Sequence, residues 1–71
     1  MLIRVDNHGL VDDLCAHFLR SNFDAAPVGG GMIEIAKPGS SDITRANREI
    51  LMHLEVWRVG NPGATVEVVE P

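Results

Sequence analysis

The sequence predicts an α+β two-layer sandwich of ferredoxin-like topology, with a four-stranded antiparallel sheet and two helices on one face. The spacing of apolar residues has the two-residue period of strands in some segments and the 3.6-residue period of helices in others. The resulting order of elements is strand, helix, strand, strand, helix, strand. Two strand–helix–strand crossovers around one hairpin are typical of the split β-α-β sandwich. Right-handed crossovers then place the first strand and the Met32–Ala36 strand at the centre of the sheet.

In the first half of the chain, Leu2–Val5 is predicted to be a strand, with Ile3 and Val5 on one face. The Asp6–Gly9 segment has turn chemistry, and a helix is expected from about Leu10 to Ser21. The core-facing residues of this helix are expected to be Leu10, Val11, Leu14 and Phe18, with Cys15 at the edge.

The middle of the chain predicts a hairpin. Asn22–Val28 is a less clear strand, and its Pro27 restricts it to a sheet edge or a strand end. Gly29–Gly31 forms the turn, and Met32–Ala36 follows as a clearer strand. Thr65–Val69 closes the chain as the last strand, with Val66 and Val68 expected to face inward.

The longest segment with a clean helical period runs from Ser41 to Val59. Ser41 offers a hydroxyl N-cap, with Asp42 and Thr44 behind it. Gly60 can take the left-handed conformation that closes a helix. At about 100° per residue, one stripe should enter the core, and it consists of Ile43, Ala46, Ile50, Leu54 and Trp57.

The predicted strand order places Arg4 on the open face of the sheet. Its neighbours there are expected to be Glu34 on one side and Glu67 on the other. Opposite charges across strands stabilise a sheet by roughly 0.2–1 kcal/mol per pair.

Composition restricts the class of protein. The 71 residues predict one domain spanning residues 1–71, with 45% apolar and 23% charged residues as in ordinary globular chains. A net charge of −4 and a pI of about 5.1 weigh against nucleic acid as a partner. The single cysteine excludes an internal disulfide. The chain has no long apolar segment and no basic leader, so no membrane partner and a cytoplasmic location are the expectations.

The loop Asp6-Asn7-His8-Gly9-Leu10 resembles that of ACT domains, small regulatory modules with the same strand and helix order. Asp6, Gly9 and Leu10 match the aspartate, spaced glycine and leucine of that family's first loop. The resemblance implies an amino-acid ligand held by this loop at an interface between paired domains. Asp6, Asn7, His8 and Gly9 are then the ligand-binding candidates.

Asn7, Gly9 and Leu10 are also similar to the approach to the active site in the histidine phosphocarrier of the sugar phosphotransferase system. That family places its phosphorylated histidine directly after a Gly-Leu pair, and position 11 here is Val11. The catalytic group of that family is therefore missing. A phosphocarrier or small enzyme would have to use His8, since histidine is the side-chain type that most readily exchanges a proton near neutral pH.

No other motif predicts chemistry. His8, Cys15, His17 and His53 lack the spacing of a metal site, so neither metal nor cofactor is expected. His17 follows Asp13 by four residues, which predicts a surface pair on one helix. Lys37 before Gly39-Ser40-Ser41 could attract an anion, but capping of the following helix explains the serines better.

The long helix carries a second apolar stripe. Met52, Val56 and Val59 line up about 180° from the core stripe, where a two-layer sandwich has nothing to cover them. The polar residues at the edge of this stripe are Arg45, Arg48, Glu49 and Glu55. The sequence therefore predicts a non-catalytic module that self-associates, as an antiparallel homodimer, or binds another protein. The alternatives are an ACT-like small-molecule sensor and a His8-dependent phosphocarrier or small enzyme.

Overall fold

The computed structural model describes all 71 residues, Met1–Pro71. The elements have the predicted order: β1 (Leu2–Val5), α1 (Val11–Arg20), β2 (Asp24–Gly29), β3 (Met32–Ala36), α2 (Ile43–Val59) and β4 (Val66–Glu70). A 3₁₀ turn over His8–Leu10 precedes α1. The four strands form one antiparallel sheet in the order β2-β3-β1-β4, with β1 and β3 central as predicted. The protein is an α+β sandwich of ferredoxin-like topology.

One core lies between the sheet and the two helices. The strands contribute alternate residues to it, because successive side chains of a strand point to opposite faces. Both helices contribute to the same cluster, so both cover the same face of the sheet. The cluster has 11 buried members, which are Ile3, Val5, Leu14, Cys15, Phe18, Phe23, Ile33, Ile35, Ile50, Leu54 and Trp57.

The two ends of α2 differ from the prediction. Asp42, not Ser41, is the N-cap, and its carboxylate accepts a hydrogen bond from the backbone N–H of Arg45 at 3.1 Å. Gly60 is right-handed, with φ of −79°. The helix closes instead through Asn61, whose side-chain amide donates to the carbonyl of Trp57 at 2.9 Å. The Asn61 side chain therefore satisfies a terminal carbonyl of α2, which the sequence analysis expected a left-handed Gly60 to do.

Two apolar residues predicted to face the core are more exposed than expected. Ile43 is 71% exposed, because it is the first residue of α2 and borders an open cavity at the end of the sheet. Val68 lies opposite Ile3 but is 41% exposed, because β4 is an edge strand with a neighbour on one side only. The other four residues of the core stripe are buried as predicted.

The register of the sheet corrects the prediction for Arg4. Arg4 lies opposite Glu67 on β4, and its Nη1 contacts the Glu67 Oε1 at 3.3 Å. On β3, however, Arg4 lies opposite Met32, whereas Glu34 lies opposite Leu2. The prediction of Glu34 as a neighbour of Arg4 was wrong, because the register was assumed two residues away from the true one.

The hairpin between β2 and β3 is built as predicted. β2 is an edge strand and contains Pro27, where a missing N–H costs the sheet least. Gly29, Gly30 and Gly31 have φ values of +92°, +64° and +77°, which residues with a side chain rarely adopt. Neither helix is long and apolar enough to cross a membrane.

Candidate interaction surface

The outer face of α2 carries the apolar strip that the sequence predicts. The strip consists of Met52, Val56 and Val59, which are 63%, 65% and 80% exposed. On the opposite face, Ala46, Ile50, Leu54 and Trp57 are all buried in the core. Because the core face is already filled, the strip has no partner within the chain.

The charges around this outer strip are mostly paired along the helix. Arg45 Nε lies 3.8 Å from Glu49 Oε1, and Arg58 Nη1 lies 2.6 Å from Glu55 Oε1. Glu49 also accepts a hydrogen bond from Lys37, which follows β3. That bond lowers the pKa of the Glu49 carboxyl and joins α2 to the sheet.

Arg48 is the exception among the charged residues of this surface. It makes no ion pair within the chain, unlike Arg45 and Arg58 on the same helix. Glu55 has one engaged oxygen, Oε1, and its Oε2 makes no hydrogen bond. The outer face of α2 therefore presents an apolar strip beside an unpaired cation and a half-engaged carboxylate.

The Asp6–Gly9 loop uses its polar groups to hold the backbone. The Asp6 carboxylate accepts from the N–H of Asn7 at 2.8 Å and from the N–H of Thr65 at 2.9 Å. The bond from Thr65 is the largest cause of the lowered pKa of Asp6. The Asn7 Oδ1 accepts from the N–H of Gly9 at 2.9 Å and caps the 3₁₀ turn.

His8 packs against the hairpin rather than standing free in its loop. A Cβ atom placed on Gly31 would lie 2.6 Å from two atoms of the His8 ring. The bare backbone of Gly31 is therefore the surface on which the His8 imidazole rests. This contact joins the first loop to the β2–β3 turn and was not visible in the sequence, because the two residues are far apart in the chain.

The remaining candidate ligands are gathered into the helix–helix contact. The rings of His17 and His53 are 5.7 Å apart between centroids, and His53 also stacks edge-on with Phe23 at 5.0 Å. Burial, and then the charge of His53, lowers the pKa of His17. Cys15 is buried as predicted, and burial raises the pKa of its thiol. No group of three His, Cys, Asp or Glu side chains is arranged to hold a metal ion.

Asp13 has a different partner from the one predicted. Its carboxylate accepts a 2.8 Å hydrogen bond from the indole N–H of Trp57, which joins α1 to α2. No ion pair forms between Asp13 and His17. The partner was not predictable from helical spacing, because Trp57 comes 44 residues later.

A small cavity of about 150 Å³ lies between the end of β3 and the first turn of α2. Its walls are mainly apolar, and the buried Asn47 Oδ1 in its lining has no hydrogen-bond partner. Lys37 at its rim is bound to Glu49, and the Ser40 hydroxyl donates to the carbonyl of Asp42 at 3.2 Å. These groups stabilise the start of α2 and are not left free for an anion.

Among these features, the outer face of α2 has the largest set of exposed groups without a partner in the chain. Comparisons with protein-family models, curated proteins and solved structures found no match for this chain. What the protein does is therefore inferred from its own contacts, exposure and charge.

Proposed function

We propose that this protein is a non-catalytic interaction module that docks onto a protein surface through the outer face of α2. The observation that carries the proposal is the outer strip, three large apolar side chains in one line with exposures of 63% to 80%. Single exposed apolar residues are common on monomers. Three in line on one helix face, bordered by charges, have the composition of an interaction site.

The burial of the opposite face of α2 supports the same conclusion. Ile50, Leu54 and Trp57 already fill the space between this helix and the sheet. A rotation of α2 that buried Met52 would have to expose the Trp57 indole and break its bond to Asp13. The outer strip is therefore available to a partner without any change in the fold.

The ACT-like alternative is a small-molecule sensor that uses the Asp6–Gly9 loop. Asp6 fixes the β1–β4 junction through its Oδ1 and Asn7 fixes the 3₁₀ turn through its own Oδ1, so only Asp6 Oδ2 and the Asn7 side-chain N–H groups are left for a ligand. A phosphocarrier would use the exposed His8 ring, whose Cδ2 and Nε2 face Gly31. Neither cavity of the structure is lined by the Asp6–Gly9 loop, whereas the outer strip is already exposed.

Site-specific photo-crosslinking tests the proposal. A benzophenone amino acid at position 52 is expected to form protein adducts in cells that naturally produce the chain. The matched control places the same group at position 12, because Asp12 is exposed on α1, away from the outer strip. Adducts confined to position 52 support docking on α2.

Equal labelling at positions 52 and 12, or no protein adduct at either, would overturn the proposal. A Met52→Glu, Val56→Glu double variant provides a check on the face assignment. It is expected to keep the wild-type circular dichroism spectrum, since both side chains are exposed. Loss of the folded spectrum would show that the strip belongs to the core.

A further inference from the structure

We propose that the partner of the outer strip is a second copy of this chain, bound through α2 in an antiparallel, two-fold arrangement. In this dimer, Arg48 of each copy lies opposite Glu55 of the partner subunit. The inference rests on the proposed function and adds to it the identity, direction and register of the partner.

The spacing of Arg48 and Glu55 sets the geometry. Seven residues at about 100° each make two turns less about 20°, so both side chains lie on the same flank of the outer strip. At about 1.5 Å per residue they are about 10 Å apart along the helix. Met52 lies between them along the axis and faces outward. One flank therefore carries a cation at one end, an anion at the other and an apolar residue near the middle.

Two-fold symmetry makes this flank complementary to itself. When two helices pack antiparallel about a two-fold axis, each flank meets the same flank of the other helix in the reverse direction. An axis passing midway between Arg48 and Glu55 brings each arginine opposite the partner's Glu55, and two ion pairs form. The same axis passes close to Met52, which then packs against the partner's Met52.

The charged groups without a full set of partners in one chain are the ones that form ion pairs in this antiparallel dimer. Arg48 has no carboxylate partner in its own chain, and the Oε2 of Glu55 makes no hydrogen bond. Arg45 and Arg58 are already paired. A parallel two-fold dimer would bring opposite flanks together and place Arg48 near Glu49 of the partner subunit, a carboxylate already engaged by Lys37 and Arg45. The charge pattern therefore favours the antiparallel arrangement over the parallel one.

The opposite flank of the outer strip is also compatible with this register. Val56 lies on that flank at a height between Arg45 and Glu49 of the partner subunit, which are joined to each other by an ion pair. The aliphatic parts of those two side chains would cover Val56. Arg58 is on the other flank from Arg45, so the two arginines do not meet. The arrangement buries the apolar groups without opposing like charges.

Charge exchange tests the register by sedimentation equilibrium. Arg48→Glu and Glu55→Arg, each alone, would place like charges opposite each other at both contacts. Since exposed ion pairs are individually weak, we expect each variant to dimerise about tenfold to hundredfold more weakly than the wild type. An equimolar mixture of the two variants restores both opposite-charge contacts, and heterodimers with about the wild-type affinity are expected. The double variant in one chain is expected to return to within about threefold of the wild type.

Matched controls separate charge from folding and from apolar contact. Arg20→Glu reverses the charge of another arginine that has no ion pair, on α1, and is expected to leave dimerisation unchanged. Circular dichroism checks that every variant is folded. Should a reversal disturb the helix, the neutral Arg48→Gln and Glu55→Gln variants replace it, each with about threefold weakening expected.

Failure of the register and failure of the proposed function give different results. If Met52→Glu abolishes dimerisation while the charge variants dimerise like the wild type, the strip is an interface but the antiparallel register is wrong. If the wild type is monomeric up to about 500 μM, above the range expected of a small helix–helix interface, the second copy is wrong. Photo-crosslinking at position 52 then decides alone whether a different protein docks on α2.

Discussion

At the residue scale, Trp57 shows how one side chain can join two helices and the sheet. Its ring is part of the core cluster, and its indole N–H donates to Asp13 on α1 at 2.8 Å. A hydrogen bond to a charged acceptor stabilises by about 1.5–3 kcal/mol, and burial of the ring adds a contribution of similar size. Trp57 fixes the rotation of α2 about its axis and thereby determines which residues face outward.

His17 makes a pH-dependent contribution to the same helix–helix contact. Its Nε2 is buried without a hydrogen-bond partner, and the charges facing it are His53 on α2 and Arg20 and Asp13 on α1. Burial and the charges of His53 and Arg20 outweigh the opposing effects of the His53 backbone and of Asp13, so the folded chain holds the pKa of His17 below its usual value. The folded state therefore binds the His17 proton less tightly than the unfolded state does.

We predict that the free energy of unfolding decreases as the pH falls below about 6.5, the usual histidine pKa in an unfolded chain. The loss continues until the pH passes the lowered pKa of the folded state, below which both states are protonated. Urea unfolding at several pH values between 7.5 and 5 measures this slope. His17→Gln and His17→Phe are both expected to reduce it, and an unchanged slope in both would contradict the prediction.

At the element scale, the β2–β3 hairpin turn depends on the absence of a side chain at Gly31. A Cβ there would lie 2.6 Å from the His8 ring and 2.7 Å from the carbonyl oxygen of Val5. The ring can move, but the carbonyl belongs to the central strand of the sheet. Gly29 also has a positive φ, but a Cβ placed there would have no atom within 4 Å. Both glycines therefore have a positive φ, and they differ in the crowding that a side chain would meet.

We predict that Gly31→Ala lowers the free energy of unfolding by about 2–4 kcal/mol, from a positive φ and from the clash with the sheet. Gly29→Ala is the matched control and should cost only about 1–2 kcal/mol, since its new methyl group meets nothing. Chemical denaturation of the two variants measures the difference. Equal losses would indicate that crowding at Gly31 is relieved by movement of the hairpin.

The elements themselves were predictable because their signals are local. Helical periodicity alone predicted that Ile50 and Leu54 of α2 are buried and that Met52 is exposed. It failed for Ile43, the first residue of the helix, which is exposed although it lies on the core stripe. The register between β1 and β3 was predicted two residues away from the true one, because register depends on turns and on packing across the sheet. Glu34 was therefore assigned the wrong neighbour.

The candidate interaction surface also has features that were predictable from the sequence and features that were not. The outer strip was predictable because all three of its residues lie on one helix. The ion pair of Lys37 with Glu49 and the packing of His8 on Gly31 were not predictable, since each joins segments that only the folded chain brings together. The pairing state of Arg48, on which the register of the dimer depends, also required the positions of every nearby carboxylate.

At the scale of the whole molecule, the two outer surfaces of the sandwich carry different charges. The open face of the sheet presents Glu67 paired with Arg4, and Glu34 paired with the N-terminal ammonium group. The outer face of α2 presents Arg45, Arg48 and Arg58 around the strip, with Glu49 and Glu55. The chain as a whole has a net charge of −4, so long-range repulsion opposes association of two copies. Local complementarity along α2 and burial of the strip must exceed that repulsion.

Because the chain is small, self-association should change its melting temperature measurably. A core of 11 buried residues in a chain of 71 corresponds to a free energy of unfolding of about 3–5 kcal/mol. A partner that binds only the folded state adds to this by mass action. At a total concentration about fifty times the dissociation constant, the added stability is about 1 kcal/mol. In a domain of this size, 1 kcal/mol shifts the melting temperature by about 4–8 °C.

We therefore predict that the melting temperature of the wild-type protein rises by about 4–8 °C between about 10 μM and 500 μM. Met52→Glu, which places a charge at the centre of the strip, is expected to melt at one temperature over the same range. Differential scanning calorimetry at four or more concentrations makes the measurement, with Arg20→Glu as a charge-reversed control that should behave like the wild type. A wild-type melting temperature independent of concentration would exclude the second copy as partner. An equal rise in Met52→Glu would place the self-association on another face of the molecule.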